Sequence, residues 1–331
     1  MLSAVGARAR AWVDELDPFT NVYGVARSLV ALSLLLTLVF SRTDVLFRPA
    51  AGIDDFPVCM GVRAMGTFCM GAPHLDLVRW LSVGVLAVVA SGWRPRYTGV
   101  LHAWVAFGFQ ANAMIVEGGD QIGSILALLL VPVTLLDDRK WVWQARAPRA
   151  LDERERSVRL VARVCFALIR LQVAGIYFHA AIAKFAVPEW TDGTVLYYWL
   201  NHGTFGAPGW IMPVLRPLLL NGVIVAMTTW GVLVVEYALS AGLLVHRRYL
   251  PVLLALGIGL HAGIALLHGL VTFAITMFAA LILYLRPLDR TFDLARVSAF
   301  ALRLRDRVSP RAGAGSARVA PHARPVDQAT L

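Results

Sequence analysis

The sequence predicts an all-α fold, a polytopic integral membrane bundle of about eight transmembrane helices with interfacial helices on the outer side. Three observations carry that prediction. Apolar residues make up 58% of the 331-residue chain and charged residues only 16%, against about a quarter charged in ordinary soluble domains. Apolar runs recur at lengths near the roughly 20 residues that cross a hydrocarbon core. Basic residues gather in alternate loops, as the positive-inside rule requires of a multi-pass chain. A freely diffusing enzyme or a nucleic-acid-binding protein is therefore excluded, and no phosphate-loop, zinc-protease, nucleophile-elbow or dinucleotide fingerprint occurs.

The expected spans lie near 22–40, 77–92, 98–116, 121–136, 159–187, 221–245, 250–267 and 270–286. The last two are separated only by His268 and Gly269, so the count there is open by one. Residues 1–21 form a cytoplasmic segment. The first span acts as an anchor, since acidic residues precede it and no small-x-small cleavage site follows it. The turn with Arg94 and Arg96, the segment 139–159, the Arg247-Arg248 turn and the tail are strongly basic and belong inside, with both termini. The turn from Glu117 to Asp120 and the segment 188–220 belong outside. Within the latter, 190–200 and 208–220 are too short to span and carry Trp190, Trp199 and Trp210, which suits helices lying along the interface. The tail, 287–331, reads as basic, disordered and close to anionic headgroups.

Of 31 basic residues, all but Lys140 and Lys184 are Arg. Because a buried Lys can lose its proton and Arg does not, a rare lysine asks what Arg cannot do. Arg163, Arg170, Tyr177 and Lys184 recur every seven residues in the fifth span and share one stripe. Glu236 is the carboxylate placed to neutralise Arg170 as a structural ion pair. Gln172 and His179 form a second stripe on the opposite side. His261 and His268 repeat at seven on a glycine-flanked helix, either as hydrogen-bonding core residues or as a proton relay. No metal site is expected. Cys59 and Cys69 stand in a repeated Cys-Met-Gly context in an external loop. A disulfide is the plain reading there, beside thiol exchange or a soft copper site with Met60, Met65 and Met70.

Three segments carry a resemblance: Ser91-Gly92-Trp93-Arg94-Pro95-Arg96 leading to Leu101-His102, then Glu117-Gly118-Gly119-Asp120-Gln121-Ile122, and Leu136-Asp137-Asp138-Arg139-Lys140. Over about residues 15 to 290 the chain resembles the sporulation-delaying protein B family, with the Gly118-Gly119-Asp120-Gln121 turn as its most specific part. That family implies a membrane factor needed to mature a secreted peptide toxin precursor, working beside a small companion protein of the sporulation-delaying A type. It belongs to a wider membrane domain, the HTTM domain, spanning 22–286 here and distantly similar to vitamin K-dependent gamma-carboxylase. The stretch Tyr177-Phe178-His179-Ala180-Ala181-Ile182-Ala183-Lys184 looks like the carboxylase segment in which a Tyr-Phe pair precedes two lysines. The resemblance places Lys184 on the second lysine, a base toward a hydroquinone, with Ala183 in place of the first and His261 near a late-span histidine.

It thus implies Lys184, His261 and Tyr177 as catalytic residues, and a lipid quinone by family analogy alone. The carboxylase's large lumenal substrate domain has no counterpart in the segment after the bundle, so Glu carboxylation is not implied. Two classes of function follow. One is a maturation factor acting at the outer leaflet through Lys184, a role open only where burial favours the neutral amine. The other is a non-catalytic scaffold, export or immunity component.

Overall fold

The structure is a computed structural model that describes residues 2–50, 52 and 56–293. The expected basic tail lies outside the described residues from position 294 onward, as do Asp54 and Asp55 of the first external loop. Contacts divide the chain into a body ending at Thr291 and a second unit from Phe292, of which only Phe292 and Asp293 are described. Among the described residues all regular structure is helical, and the antiparallel bridge Trp93 to Trp141 is isolated.

The helices run in chain order as α1 (Leu2–Asp14), α2 (Asn21–Phe40), α3 (Thr43–Leu46), α4 (Thr67–Met70), α5 (Leu75–Ala90), α6 (Pro95–Asn112), α7 (Gly118–Leu136), α8 (Glu153–Lys184), α9 (Pro188–Thr191), α10 (Val195–Leu200), α11 (Met212–Leu219), α12 (Gly222–Ser240), α13 (Leu250–His268) and α14 (Val271–Leu285). Each expected span coincides with a helix. Among the described residues, five helical stretches are long and apolar enough to cross a membrane: α2, α7, α8, α12 extended to Leu243, and α13 extended back to Arg247. The other three, α5, α6 and α14, fall short of that measure. The doubtful break at 268–269 is real. Gly269 ends α13 with φ 72°, a left-handed cap that only a residue without Cβ adopts freely, and α14 starts two residues later.

Sequence signals start the helices. Thr20 accepts from the Val22 amide at α2, Asp152 from the Glu155 amide at α8, and Asn221 from the Val223 and Ile224 amides at α12. Each thereby satisfies a donor that a helix start leaves open. The inner core lies among α2, α5, α6 and α7, where Leu34, Leu38, Phe68, Leu86 and Phe109 are buried together. The helices α12 and α13 bury only 28% and 22% of their apolar windows. Met227, Val234, Val252 and Leu266 on them are exposed, the face such helices turn to lipid.

The consecutive long helices run back and forth, so their connections collect at two ends. One end is basic. There Tyr23 donates to Asp137, Arg139 pairs with Asp137 at 2.7 Å, and Arg27 donates to Thr98 at 2.7 Å. The Arg94 amide donates to the Lys140 carbonyl at 2.8 Å. Two of the three family-like segments thus lock onto each other. Burial alone would lower the affinity of Arg139 for its proton, but the hydrogen bond and charge of Asp137 outweigh it and raise it. At the same end α1 is tied to α8 by Arg156 with Asp14 and Arg163 with Glu15, and Arg146 pairs with buried Glu155 at 2.5 Å. The opposite end carries the loop 41–74, in which Cys59 and Cys69 form a disulfide. Below it Asn112 donates to the carbonyls of Val58 and Arg63. The short helices α9, α10 and α11 belong to this end. Leu200 and Leu219 pack on Val225, and Tyr198, Trp199 and Trp210 are exposed.

Asp137 is fully buried against Arg139 and Tyr23. Asp137→Ala should therefore cost about 3–5 kcal/mol, because it leaves a buried guanidinium unpaired. Lys140→Ala, at an exposed side chain three residues on, should stay within about 0.5 kcal/mol. Unfolding of the two variants in detergent by circular dichroism measures the difference.

Candidate functional site

The stripe on α8 meets a different partner at each turn. Near the basic end Arg163 donates to Glu15 at 3.2 Å and stacks over the Trp12 ring at 4.4 Å. Two turns on, Arg170 faces a cavity and has no ion pair among the described residues, and its Nε is buried without a partner. The next member, Tyr177, is 2% exposed, and its hydroxyl lies 2.8 Å from Nε2 of His261 on α13. At the end of α8, Lys184 places Nζ 2.8 Å from both carboxylate oxygens of Glu236 on α12.

The expected Arg170–Glu236 pair is therefore not formed, and Lys184 takes its place. The reason is the direction of the side chains. In a helix every Cβ tilts toward the N-terminus. Lys184 reaches back one turn, with Nζ 3.3 Å from the Ala180 carbonyl. On the antiparallel α12 the same rule sends Glu236 toward the Lys184 end. Placing the two residues by helical rise alone ignores both reaches, and together they span the gap.

Lys184 and Glu236 keep only 21% and 11% of their side-chain surface exposed. The ammonium also sits 5.1 Å from the centre of the Trp190 ring, a cation–π contact supplied by α9. Trp190 was legible only as an interfacial residue, because nothing in its spacing ties it to α8. The Lys184 charge bears on His261 and the Glu236 charge on Tyr177, so the two pairs form one cluster across α8, α12 and α13. Nδ1 of His261 is buried without a partner, while Phe273 packs edge-on against the ring at 5.4 Å. A lipid quinone would find that single open polar atom in the cluster, since Lys184, Glu236 and Tyr177 are already engaged. Among the described residues no three His, Cys, Asp or Glu side chains are grouped to hold a metal ion.

The remaining candidates fall elsewhere. His268 meets the Phe205 carbonyl at 2.7 Å and Trp199 edge-on, so it fastens the 188–220 segment instead of joining His261. Gln172 and His179 line a crevice against α7 together with Gly118 and Gln121. In the turn motif, the Glu117 side chain and Asp120 form a reciprocal capping box at the start of α7. Thr272 donates to Glu117 at 2.7 Å. A Cβ at Gly119 would meet Cα of Phe273 at 2.9 Å, so Gly119 lets α14 pack on α7. The turn joins α7 to α14 and does not touch Lys184. Cys165 is buried and free.

Comparison with known proteins adds a family to this geometry. The HTTM domain model matches residues 129–288, which includes all four residues of the cluster. The uncharacterized protein YitO of Bacillus subtilis (strain 168) is 36% identical over 300 residues, covering 90% of this chain and 95% of its own length. The sporulation-delaying protein SdpB of the same organism is 33% identical over 286 residues, 86% of each chain. No solved structure matches.

The pairing makes a thermodynamic prediction. Lys184→Met and Glu236→Met should each strand a buried charge, and the double variant should cost less than the sum of the two. A double-mutant cycle by unfolding in detergent should give a coupling of at least about 1 kcal/mol for Lys184 with Glu236. Arg170 with Glu236 should give none.

Proposed function

The chain belongs to the sporulation-delaying protein B family of HTTM-domain membrane proteins, and on that premise we propose that it serves the production of a secreted peptide toxin of the sporulation-delaying type. Its substrate is the toxin precursor and its partner a small companion protein of the A type. The membrane part, 22–286, crosses a bacterial plasma membrane eight times, with α9, α10 and α11 along the outer interface. Support for the sidedness comes from the charge of the two ends: the end with Arg94, Arg139, Arg146 and Arg247 is cytoplasmic, as is the segment at Asp14 that pairs with it. The disulfide end faces the oxidising exterior, where such bonds persist.

The observation that carries a catalytic reading is the convergence of Lys184, Glu236, Tyr177 and His261 at the outward half of the bundle. Lys184 is the base and Glu236 its proton partner. Passing one proton from the ammonium to the carboxylate leaves a neutral amine beside a neutral acid. Exclusion of water by a bound peptide favours that form over two desolvated charges. Tyr177 and His261 position the cluster from below. A scaffold reading draws on the same pair, because a satisfied ion pair between α8 and α12 is also what a purely architectural contact looks like.

The two readings part at one substitution. Lys184→Arg keeps the charge and the reach to Glu236 but offers no deprotonated form. On the catalytic reading it abolishes peptide maturation as fully as Lys184→Ala, at unchanged protein abundance, with the covalent mass of the secreted peptide as the readout. A fully matured peptide from the Arg variant would leave the scaffold reading standing. For the topology, Gly203→Cys lies at an exposed site with open space around it, and should react with an impermeant maleimide in intact cells. Lys140→Cys should react only after lysis, and the reverse pattern would invert the assignment.

A further inference from the structure

Where the turn at the start of α7 meets the junction of α13 with α14 and the chain that follows α10, there is a cavity of about 270 Å³. It is lined by Glu117, Gly118, Trp199, Phe205, Leu270 and Phe273. One carboxylate thus shares a wall with three aromatic rings, and no basic residue joins them. The walls are braced by contacts that do not fill the space. Thr272 donates to Glu117 at 2.7 Å, and His268 meets the Phe205 carbonyl at 2.7 Å. Trp199 and Phe205 still keep 45% of their surface exposed. Phe273 also packs edge-on against His261 at 5.4 Å, so the cavity lies one ring away from the Lys184 cluster.

The partners of Glu117 are the Thr272 hydroxyl and, through the capping box, the Asp120 amide, and both are neutral donors. An ionised carboxylate accepts about four hydrogen bonds, so part of its capacity stays open. Among the described residues Glu117 forms no ion pair. Negative charge beside aromatic faces recognises an organic cation, because carboxylate and ring quadrupoles attract the same group while the rings cover its alkyl stem.

We propose that this cavity receives the ammonium of a lysine side chain of the peptide on which the protein acts, and so holds that peptide beside the Lys184 cluster. The inference rests on the reading of the chain as a factor that handles a secreted peptide. A zwitterionic phospholipid also offers an ammonium, but its phosphate follows close behind. The lining has no basic group to meet that phosphate, and Glu117 would repel it. The volume is just below the roughly 300–1,000 Å³ of whole-ligand pockets, which suits a single side chain.

The test uses the purified full-length protein in mild detergent and the probe acetyl-Ala-photolysine-Ala-amide, whose diazirine cross-links on irradiation. Peptide mass spectrometry should place the label on the segments with Trp199, Phe205 and Phe273. Unlabelled acetyl-Ala-Lys-Ala-amide should displace the probe about tenfold better than its norleucine analogue, the worth of one charge-assisted contact. Glu117→Gln, which keeps an oxygen for Thr272, should remove that preference. Phe205→Leu, at a half-exposed ring, should weaken capture by about threefold, and it carries the test if loss of the helix cap unfolds the Gln variant. Trp210→Leu, an exposed ring of the same segment outside the cavity, should leave capture unchanged. Norleucine displacing as well as lysine would reduce the cavity to an apolar niche, and dihexanoyl phosphatidylethanolamine displacing better than the lysine peptide would give it to lipid. Either result overturns the proposal. Because the probe is not the toxin precursor, capture is separable from maturation. A protein that captures the probe and matures no peptide keeps the ammonium site and loses the functional reading, whereas one that matures its peptide and captures no probe keeps that reading and overturns the site.

Discussion

The contact between Lys184 and Glu236 constrains the half of the bundle that carries the candidate site. Hydrocarbon offers a charge no solvent, so each of the two is tolerable only beside the other. That requirement sets how far α12 can slide along α8 and brings Trp190 over the ammonium. Tyr177, one stripe position below Lys184, then meets His261, so α13 is held to the same face. Several other charged residues lie near an end of the bundle and have a partner there. Arg139 has Asp137, Arg159 has Glu155, and Arg79 has the carbonyls of Leu38 and Ser41.

The family-like segments divide between architecture and chemistry. The segment around Arg94 and the one around Asp137 fasten to each other at the basic end. The Glu117 turn caps α7 and admits α14 against it. None of the three reaches Lys184. Their work is to fix the frame of α2, α5, α6 and α7, against which α8 packs with its polar stripe turned toward α12, α13 and α14. Function in such a protein rests on the few polar residues of that stripe, while the most recognisable sequence rests on the frame.

The helices were legible because an apolar run near span length has few alternatives in a chain so poor in charge, and because Gly269 ends a helix by its backbone freedom. Seven-residue spacing also placed Arg163, Arg170, Tyr177 and Lys184 on one face. What spacing cannot convey is the partner on another helix. Depth counted along α8 and α12 put Glu236 opposite Arg170, whereas the tilt of each side chain toward its own N-terminus gives it to Lys184. The cavity faced by Arg170 was hidden for a related reason. Arg163, Arg170, Arg247 and Arg286 all line it, and only the folded chain brings positions so far apart in sequence to one cavity.

The central claim is that position 184 requires an amine able to lose its proton, not a fixed positive charge. The direct measurement starts from Lys184→Cys in the otherwise unchanged chain, whose native cysteines are either disulfide-bonded or buried. It is labelled with one of two thiosulfonate reagents, one adding an aminoethyl group and the other a trimethylammonioethyl group. Both restore a cation beside Glu236, and only the first can act as a base. The account predicts that peptide maturation, followed by mass spectrometry, returns with the aminoethyl adduct and stays absent with the trimethylammonium adduct. Equal recovery with both would contradict it and reduce Lys184 to a structural charge.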